Sequence, residues 1–187
     1  MKTCIASLKS ASPYSMSRPI VTAKDDKEDH HEFEKRIWPE RIHVGDDGIL
    51  FIPGMSLKMS LDTAARFLQL KVPGRRNATY TKHFLAGVLV LDNAPIGLTK
   101  ADVEPEWLYM NADGVRGSGK RVWRCYPLIK QWATDVTFYI ADDTITKEVF
   151  EKVLAEAGKF IGIGRFRPEK GGFKGRFQVM ETVWAEG

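Results

Sequence analysis

The alternation of apolar and polar residues is clearest in the last third of the chain. Large apolar side chains occupy every second position of the segment 135–140 (DVTFYI), which predicts a β-strand. Further on, apolar residues recur at helical spacing between Thr146, a good helix-capping residue, and Gly158, which favours a helix end. The segment 176–184 alternates again. We therefore predict a strand, a helix from Thr146 to Gly158, and a final strand.

Weaker patterns of the same kind occupy the first half of the chain. The segment 3–8 predicts a strand, and 49–53 (ILFIP) predicts a short buried strand. Ser56 has the side chain of a helix cap, and apolar residues follow it at helical spacing until the Pro-Gly pair at 73–74, which we expect to end the helix. The short apolar run 84–91 (FLAGVLVL) predicts a buried strand.

The segment 92–120 interrupts these patterns. It contains Pro95, Pro105 and a Gly-rich tip, so we interpret it as a long, irregular excursion from the core. The complete order is strand, helix, strand, then strand, helix, loop, strand. This order is typical of a split βαβ unit, and it predicts a single ferredoxin-like α+β domain over 1–187, with an antiparallel sheet and helices on one face.

The distribution of charge adds more than the overall composition does. The 187 residues are 43% apolar and 28% charged, with a formal net charge of +4, as in one globular domain. Acidic residues concentrate in 25–34 (DDKEDHHEFE), whereas 63–91 contains no acid and several cations. Further basic runs cover 116–130 and the loop after the last predicted helix. Such clusters point to an anionic partner.

Several functional classes are disfavoured by what the sequence lacks. No apolar run reaches the roughly 18 residues of a membrane span, and the first residues lack the apolar core of a signal peptide, so we expect a cytoplasmic protein with no membrane partner. The segment 114–120 has the glycine and lysine spacing of a P-loop, but Arg121 replaces the Ser or Thr that holds magnesium. Gly162-Ile-Gly164 lacks the third glycine of a dinucleotide loop. We expect no cofactor.

The histidines and acids before residue 45 offer a weak metal hypothesis. His30, His31 and His43 lie near several carboxylates, yet no second histidine follows at the spacing of a metalloprotease motif. The two cysteines, Cys4 and Cys125, form no ligand-like pair. We therefore interpret 25–34 as a solvated acidic loop.

The stretch 158–179 (GKFIGIGRFRPEKGGFKGRFQV) contains six glycines, six Lys or Arg residues and a single acid, Glu169. A loop that only reverses the chain needs one or two glycines, whereas this flexible, basic stretch is suited to an anion. Glycine lets backbone N–H groups approach phosphates, cations neutralise them, and phenylalanine rings between the cations offer stacking surfaces. We predict nucleic-acid contacts by Arg165, Phe166, Arg167, Lys170, Lys174 and Arg176.

Two segments together resemble the RAMP superfamily, the repeat-associated proteins of CRISPR effector complexes. FIPGMSLKMSLDTAARFL (51–68) resembles the strand-turn-helix element of that superfamily, and FIGIGRFRPEKGGFKGRFQV (160–179) resembles its C-terminal glycine-rich loop. The order of elements also matches from about Arg41 onward, most closely that of the backbone subunits that polymerise along guide RNA. The resemblance implies a modified RRM fold in which 92–120 stands where such subunits carry a thumb.

The resemblance also implies particular contacts. At the turn of the first helix it implies contacts with the RNA backbone by Ser56 and Lys58. In the glycine-rich loop, besides the arginines already named, it implies Gly162, Gly164, Gly171, Gly172 and Gly175. The distribution of charge adds the basic residues Arg75, Arg76, Lys82, Arg116, Lys120 and Arg121.

We therefore expect a non-enzymatic binder of single-stranded RNA or DNA, with RNA favoured, that forms homo-oligomers along the strand or joins other effector-complex subunits. A short standalone or phage-encoded relative fits the same pattern. One alternative is a metal-dependent ribonuclease of the superfamily, with candidates at Asp25, Asp26, Asp29, His30 and His31. Another is a mimic or inhibitor of a CRISPR subunit, which would bind effector proteins and ignore free nucleic acid.

Overall fold

The computed structural model describes residues 1–113, 115, 117 and 119–186. The strands are β1 Lys2–Ser10, β2 Tyr14–Ser15, β3 Phe51–Ile52, β4 Val88–Leu89, β5 Ala94–Pro95, β6 Glu104–Asn111, β7 Arg121–Ile129, β8 Ala133–Ile140 and β9 Phe177–Glu186. The α-helices are α1 His30–Ile37, α2 Gly54–Leu68, α3 Thr81–Gly87 and α4 Lys147–Glu156. Short 3-10 turns cover Trp38–Arg41, Lys100–Asp102 and Pro168–Lys170, and a π-helical turn covers Ala157–Ile161.

An antiparallel sheet in the order β4-β8-β1-β9 forms the centre of the fold. β1 lies between β8 and β9 and pairs with both. Successive side chains of a strand face opposite sides, so Ala6 and Leu8 enter the core while Ile5 is exposed. The predicted α+β class with an antiparallel sheet is confirmed. The strands predicted from alternation are confirmed at 3–8, 135–140 and 176–184.

Helices α2 and α4 pack against the inner face of this sheet. Leu57 and Leu61 of α2 and Phe150 and Leu154 of α4 are buried in one cluster with the inward side chains of the strands. Burial of each of these four side chains stabilises the folded state by about 1.5–3 kcal/mol. Within the described ranges, no helix is long and apolar enough to cross a membrane.

Helix α4 begins where the sequence predicts but ends differently. The Thr146 hydroxyl accepts a hydrogen bond from the Val149 N–H at 3.4 Å, which confirms the cap. The chain does not stop at Gly158, because the π-helical turn carries it on to Ile161. Gly158 lies inside that turn, where an added Cβ would stand 2.1 Å from the Phe177 carbonyl oxygen. Close packing, rather than helix termination, explains this glycine.

Helix α2 begins earlier and ends earlier than predicted. Gly54 is its first residue, so Ser56 lies within the first turn and is not the cap. A side chain at Gly54 is excluded because its Cβ would stand 2.3 Å from the Asp92 carbonyl oxygen. The helix ends at Leu68, where Gln69 adopts a left-handed conformation with φ of 47°. The Pro-Gly pair at 73–74 follows in the next turn.

The apolar run 84–91 is not a strand. Its first half belongs to α3, and only Val88 and Leu89 pair with β8. Phe84 and Gly87 are buried on the inner side of α3, whereas Leu85 is 47% exposed. A short apolar run does not distinguish a buried strand from a packed helix, and packing of α3 on α2 decides the outcome here.

The segment 92–120 is less irregular than predicted. It includes β5 and β6, and β6 pairs with β7 in an antiparallel hairpin. β7 also pairs with β2, which gives a three-stranded sheet. Pro105, one of the two prolines that favoured an irregular excursion, lies in β6 and stands opposite Pro127 of β7. Strands accept proline where its missing N–H is not needed by the ladder.

The acidic segment 25–34 is only partly a solvated loop. Asp29 caps α1 by accepting from the Glu32 N–H at 2.9 Å. The Glu34 carboxylate is fully buried and accepts hydrogen bonds from Arg41, Arg124 and the Cys125 N–H. A buried carboxylate needs such partners, and here they fasten α1 to the hairpin.

Candidate nucleic-acid interface

A groove of about 680 Å³ lies between α2 and the loop that follows the π-helical turn. One wall is a face of α2, formed by Ser56, Met59, Ser60, Asp62, Thr63 and Arg66. The other wall runs from Ile161 to Arg167 and continues at Glu169 and Lys170. The two segments that carry the family resemblance, far apart in the sequence, thus line one concave surface.

The glycine loop, defined as residues 162–176, is folded back on itself rather than extended as a flexible ribbon. The Ile163 N–H donates to the Gly175 carbonyl at 2.9 Å, and the Lys174 N–H donates to the Phe166 carbonyl at 3.0 Å. Gly175 has a φ of +72°, and an added Cβ would lie 1.8 Å from the Ile163 carbonyl oxygen. Glycine is required at this position because the two arms of the loop approach so closely.

The backbone amides of the loop are largely used by the protein itself. The N–H groups of Gly162, Gly171, Gly172 and Gly175 all donate to carbonyl groups of the chain. This arrangement disagrees with the expectation that the glycine amides face phosphates. These four glycine amides are therefore not available to a ligand in the groove.

Three cations of the loop have carboxylate partners. Arg167 Nε lies 2.8 Å from Glu169 Oε2, and Lys170 Nζ lies 3.1 Å from Glu169 Oε1. The basic neighbours lower the pKa of Glu169 against the opposing effect of burial. Lys174 is buried and paired with Glu106 of the hairpin, so it is a structural cation rather than an exposed contact. Glu169 neutralises only part of the charge that faces the groove.

Arg165 differs from its neighbours because its contacts within the described residues include no carboxylate. Its guanidinium carbon lies 3.7 Å from the centroid of the Tyr126 ring, and one terminal nitrogen lies 3.4 Å from Ser17 Oγ. Its Nε is buried and has no hydrogen-bond partner within the described residues. Burial lowers the pKa of Arg165 from its ordinary value, yet arginine remains charged at neutral pH.

The α2 wall of the groove contains a second buried polar atom without a hydrogen-bond partner among the described residues. Ser60 is 3% exposed, and its Oγ has no hydrogen-bond partner among the described residues. Arg165 Nε and Ser60 Oγ are therefore two buried groups able to donate hydrogen bonds. Buried polar atoms of this sort ordinarily have partners.

Lys58 lies on the inner side of α2 and does not point into the groove. It is 8% exposed, its ammonium pairs with Asp62, and it donates to the Phe84 and Leu85 carbonyls at 3.0 and 3.3 Å. Burial raises the pKa of Asp62, and the Lys58 ammonium opposes that rise. The expected contact of Lys58 with the nucleic-acid backbone conflicts with this burial, because the ammonium donates its hydrogen bonds to groups of the protein itself.

The remaining predicted residues lie elsewhere. Exposed cations outside the groove occupy the α2–α3 connection, at Arg75 and Arg76, the start of α3, at Lys82, and the hairpin end, at Lys120 and Arg121. Arg176 donates to the Lys159 and Phe173 carbonyls at 3.2 Å each. The predicted contact of Arg116 lies outside the described residues.

The sequence analysis missed an aromatic pair on the hairpin. Tyr109 and Trp123 are opposite residues of β6 and β7, each 49% exposed, with ring centroids 5.2 Å apart. The Arg121 guanidinium carbon lies 5.2 Å from the Tyr109 ring centroid. The aromatic and large apolar residues of WLYM (107–110), which favour a strand, were the available signal, but 92–120 had been interpreted as irregular.

Two candidate residues of the nuclease alternative have contacts within the fold. Asp29 caps α1, and the His31 ring stacks on Trp107 with centroids 4.2 Å apart. His43 lies in the groove instead, where burial and then Arg18 lower its pKa. Over the described ranges, no group of three His, Cys, Asp or Glu side chains is arranged to hold a metal ion.

No protein-family model and no curated protein sequence matches this chain. Solved structures match its fold. A chain of the Type III-B Cmr-beta bound to cognate target RNA matches with a TM-score of 0.59 at 11% identity, over 99% of this chain and 61% of that chain. Cmr6 from Pyrococcus furiosus matches with a TM-score of 0.51 at 14% identity, over 96% of this chain and 99% of that chain.

These likenesses concern the fold, since the identities are 11% and 14%. The chain shares its α+β fold with these two solved structures. It spans less than two thirds of the Cmr-beta chain that it matches.

Proposed function

We propose that this protein is a member of the RAMP superfamily that binds single-stranded nucleic acid, RNA in preference to DNA, in the groove between α2 and the glycine loop. Side chains, rather than the loop amides, hold the backbone phosphates. Arg165 and Arg167 make the principal contacts, and Ser56 and Lys170 contribute at the rim. The cations at the α2–α3 connection and the hairpin end add weaker, long-range attraction.

The observation that carries this proposal is the setting of Arg165. A partly buried guanidinium is costly unless an anion or several acceptors accompany it. Within the described residues its contacts are two aromatic rings, a serine hydroxyl and a methionine sulfur, Met110 Sδ at 4.0 Å. A phosphate in the groove would supply the anion, and Arg165 Nε and Ser60 Oγ would gain hydrogen-bond partners.

The comparisons bear on the finer parts of the proposal. RNA is favoured because the Cmr-beta structure with this fold is bound to target RNA. The sheet order, with β1 between β8 and the C-terminal β9, supports a ferredoxin-like arrangement. The β6–β7 hairpin stands as the thumb-like element of the same proposal. A groove of this size covers only a few nucleotides, so a longer strand would be covered by several copies or by other effector-complex subunits.

The experiment is a salt titration of the affinity for a fluorescent single-stranded RNA of about 30 nucleotides. Each phosphate contact to a single strand contributes about 0.7 to the slope of log affinity against log salt. Replacing Arg165 and Arg167 together by alanine should weaken binding at least about tenfold and reduce that slope by about 1.4. Lys152→Ala is the matched control, since Lys152 is exposed on α4 and does not line the groove.

Unchanged binding by the folded double variant, or affinity that does not respond to salt, would contradict the proposal. Single-stranded DNA of the same sequence measures the preference for RNA. If the protein binds neither RNA nor DNA and instead binds effector-complex proteins, the mimic alternative replaces the proposed function. If the protein cleaves RNA in the presence of magnesium or manganese and a chelator abolishes the cleavage, the nuclease alternative replaces the proposed function.

A further inference from the structure

Two exposed phenylalanine rings contact each other where α2 ends. Phe67 is 61% exposed and Phe160 is 42% exposed, and their ring centroids are 5.7 Å apart at an interplanar angle of 40°. Neither ring was assigned a role by the motifs or by the charge pattern. Single exposed apolar residues are common, but a contacting aromatic pair in water is a candidate contact surface.

The pair continues one end of the groove. Thr63 and Arg66 line the groove on α2, and Phe67 lies one turn beyond Thr63. On the opposite wall Ile161 lines the groove, and Phe160 precedes it in the π-helical turn. Each ring therefore belongs to a residue next to one that lines a wall of the groove, and the two rings contact each other.

Cations accompany the pair. The Lys159 ammonium lies 4.8 Å from the centroid of the Phe160 ring, and Arg66 is exposed beside Phe67. The sequence around the rings favours an anionic ligand, because 63–91 and 158–168 contain no acid. An exposed aromatic ring flanked by positive charge matches a nucleotide, whose base stacks while its phosphate is neutralised.

We propose that Phe67 and Phe160 form a stacking platform for an unpaired base of the strand whose phosphates occupy the groove. This inference rests on the proposed function and adds a base-contacting subsite to a phosphate-contacting one. Stacking on a side chain tolerates any base, so the platform should raise affinity without selecting a sequence.

The test compares two oligonucleotides that have the same phosphates. One is an oligouridine of about 12 nucleotides, and the other has the same length but hydrogen in place of every base. Phe67→Ala should weaken the oligouridine complex roughly five- to tenfold and leave the abasic complex unchanged, because only the first ligand can stack. Phe67→Trp should retain or strengthen oligouridine binding, and Phe67→Leu should behave like alanine.

Leu91→Ala is the control, since Leu91 is 68% exposed and does not line the groove. Equal loss for both oligonucleotides would overturn the platform, because the ring would then act on the shape of the groove. No loss for either would overturn it as well. If the unaltered protein binds neither oligonucleotide in a salt-dependent manner, the proposed function fails and the platform fails with it. If the unaltered protein binds both oligonucleotides but Phe67→Ala affects them equally, only the platform fails.

Discussion

The glycine loop and the segment 71–82 are both basic, yet their cations have different surroundings. Arg75 and Arg76 lie on an exposed turn, whereas Arg165 lies in a groove, over Tyr126, with its Nε buried. Charge in the sequence identifies both regions equally well. Only the groove combines charge with enclosure, and electrostatic interactions are stronger where water is excluded. We therefore expect the groove to define the site and 71–82 to add weak attraction.

The largest effect should come from glycines that serve different purposes in the two regions. Gly74 and Gly175 have similar φ values of +73° and +72°, but an added Cβ meets nothing within 4 Å at Gly74. Gly74→Ala should cost about 1 kcal/mol of stability, the penalty of the left-handed conformation. Gly175→Ala should cost at least about 3 kcal/mol, since the loop arms must also separate. Denaturant unfolding measures both, and equal costs would contradict the packed loop.

Lys58 and Lys82 provide the next contrast, because the sequence assigned both to nucleic acid. Lys58→Met should lower the free energy of unfolding by about 2–4 kcal/mol, since Asp62 and two carbonyls lose a buried partner. Lys82→Met should leave stability nearly unchanged. RNA affinity of the folded Lys58→Met protein should match that of the parent. A Lys58→Met variant that is as stable as the parent but binds RNA more weakly would show that Lys58 belongs to the interface.

The smallest effect should come from the exposed cations of 71–82. Replacing Arg75 and Arg76 together by alanine should weaken RNA binding about threefold at roughly 50 mM salt. The difference between variant and parent should vanish near 200 mM, because dissolved salt screens exposed charges. The loss in the Arg165 and Arg167 double variant should also shrink with salt, because that variant lacks two phosphate contacts, but it should remain the larger loss at both concentrations. Titrations of both proteins at the two concentrations check the contrast, and the reverse order would place the principal site at 71–82.

The sequence predicted those elements whose periodicity is long and unambiguous. β1, β8, β9 and α4 have apolar spacing that fits a single secondary structure, and Thr146 marks a helix start with a hydrogen bond that the structure contains. The run 84–91 was misassigned because a short apolar stretch fits two structures. The β6–β7 hairpin was missed because Pro95, Pro105 and the Gly-rich tip of 92–120 were interpreted as signs of an irregular excursion, although Pro105 faces Pro127 within the pairing.

The site was only partly predictable for a different reason. Glycines and cations indicate a loop, but whether a glycine exists for a ligand or for packing depends on atoms distant in the sequence, such as the Ile163 oxygen next to Gly175. The same is true of Lys174, whose partner Glu106 belongs to the hairpin. Charges can be counted in a sequence, whereas their pairing follows from the fold.

The most direct test of the groove is a map of ultraviolet crosslinks between the protein and a single-stranded RNA that contains 4-thiouridine. Mass spectrometry would identify the crosslinked peptides. The account predicts crosslinks on the groove face of α2 and on the loop from Phe160 to Lys170, which line or adjoin one concave surface. Crosslinks confined to 71–82, or to the outer face of the sheet around Ile5 and Val183, would contradict it.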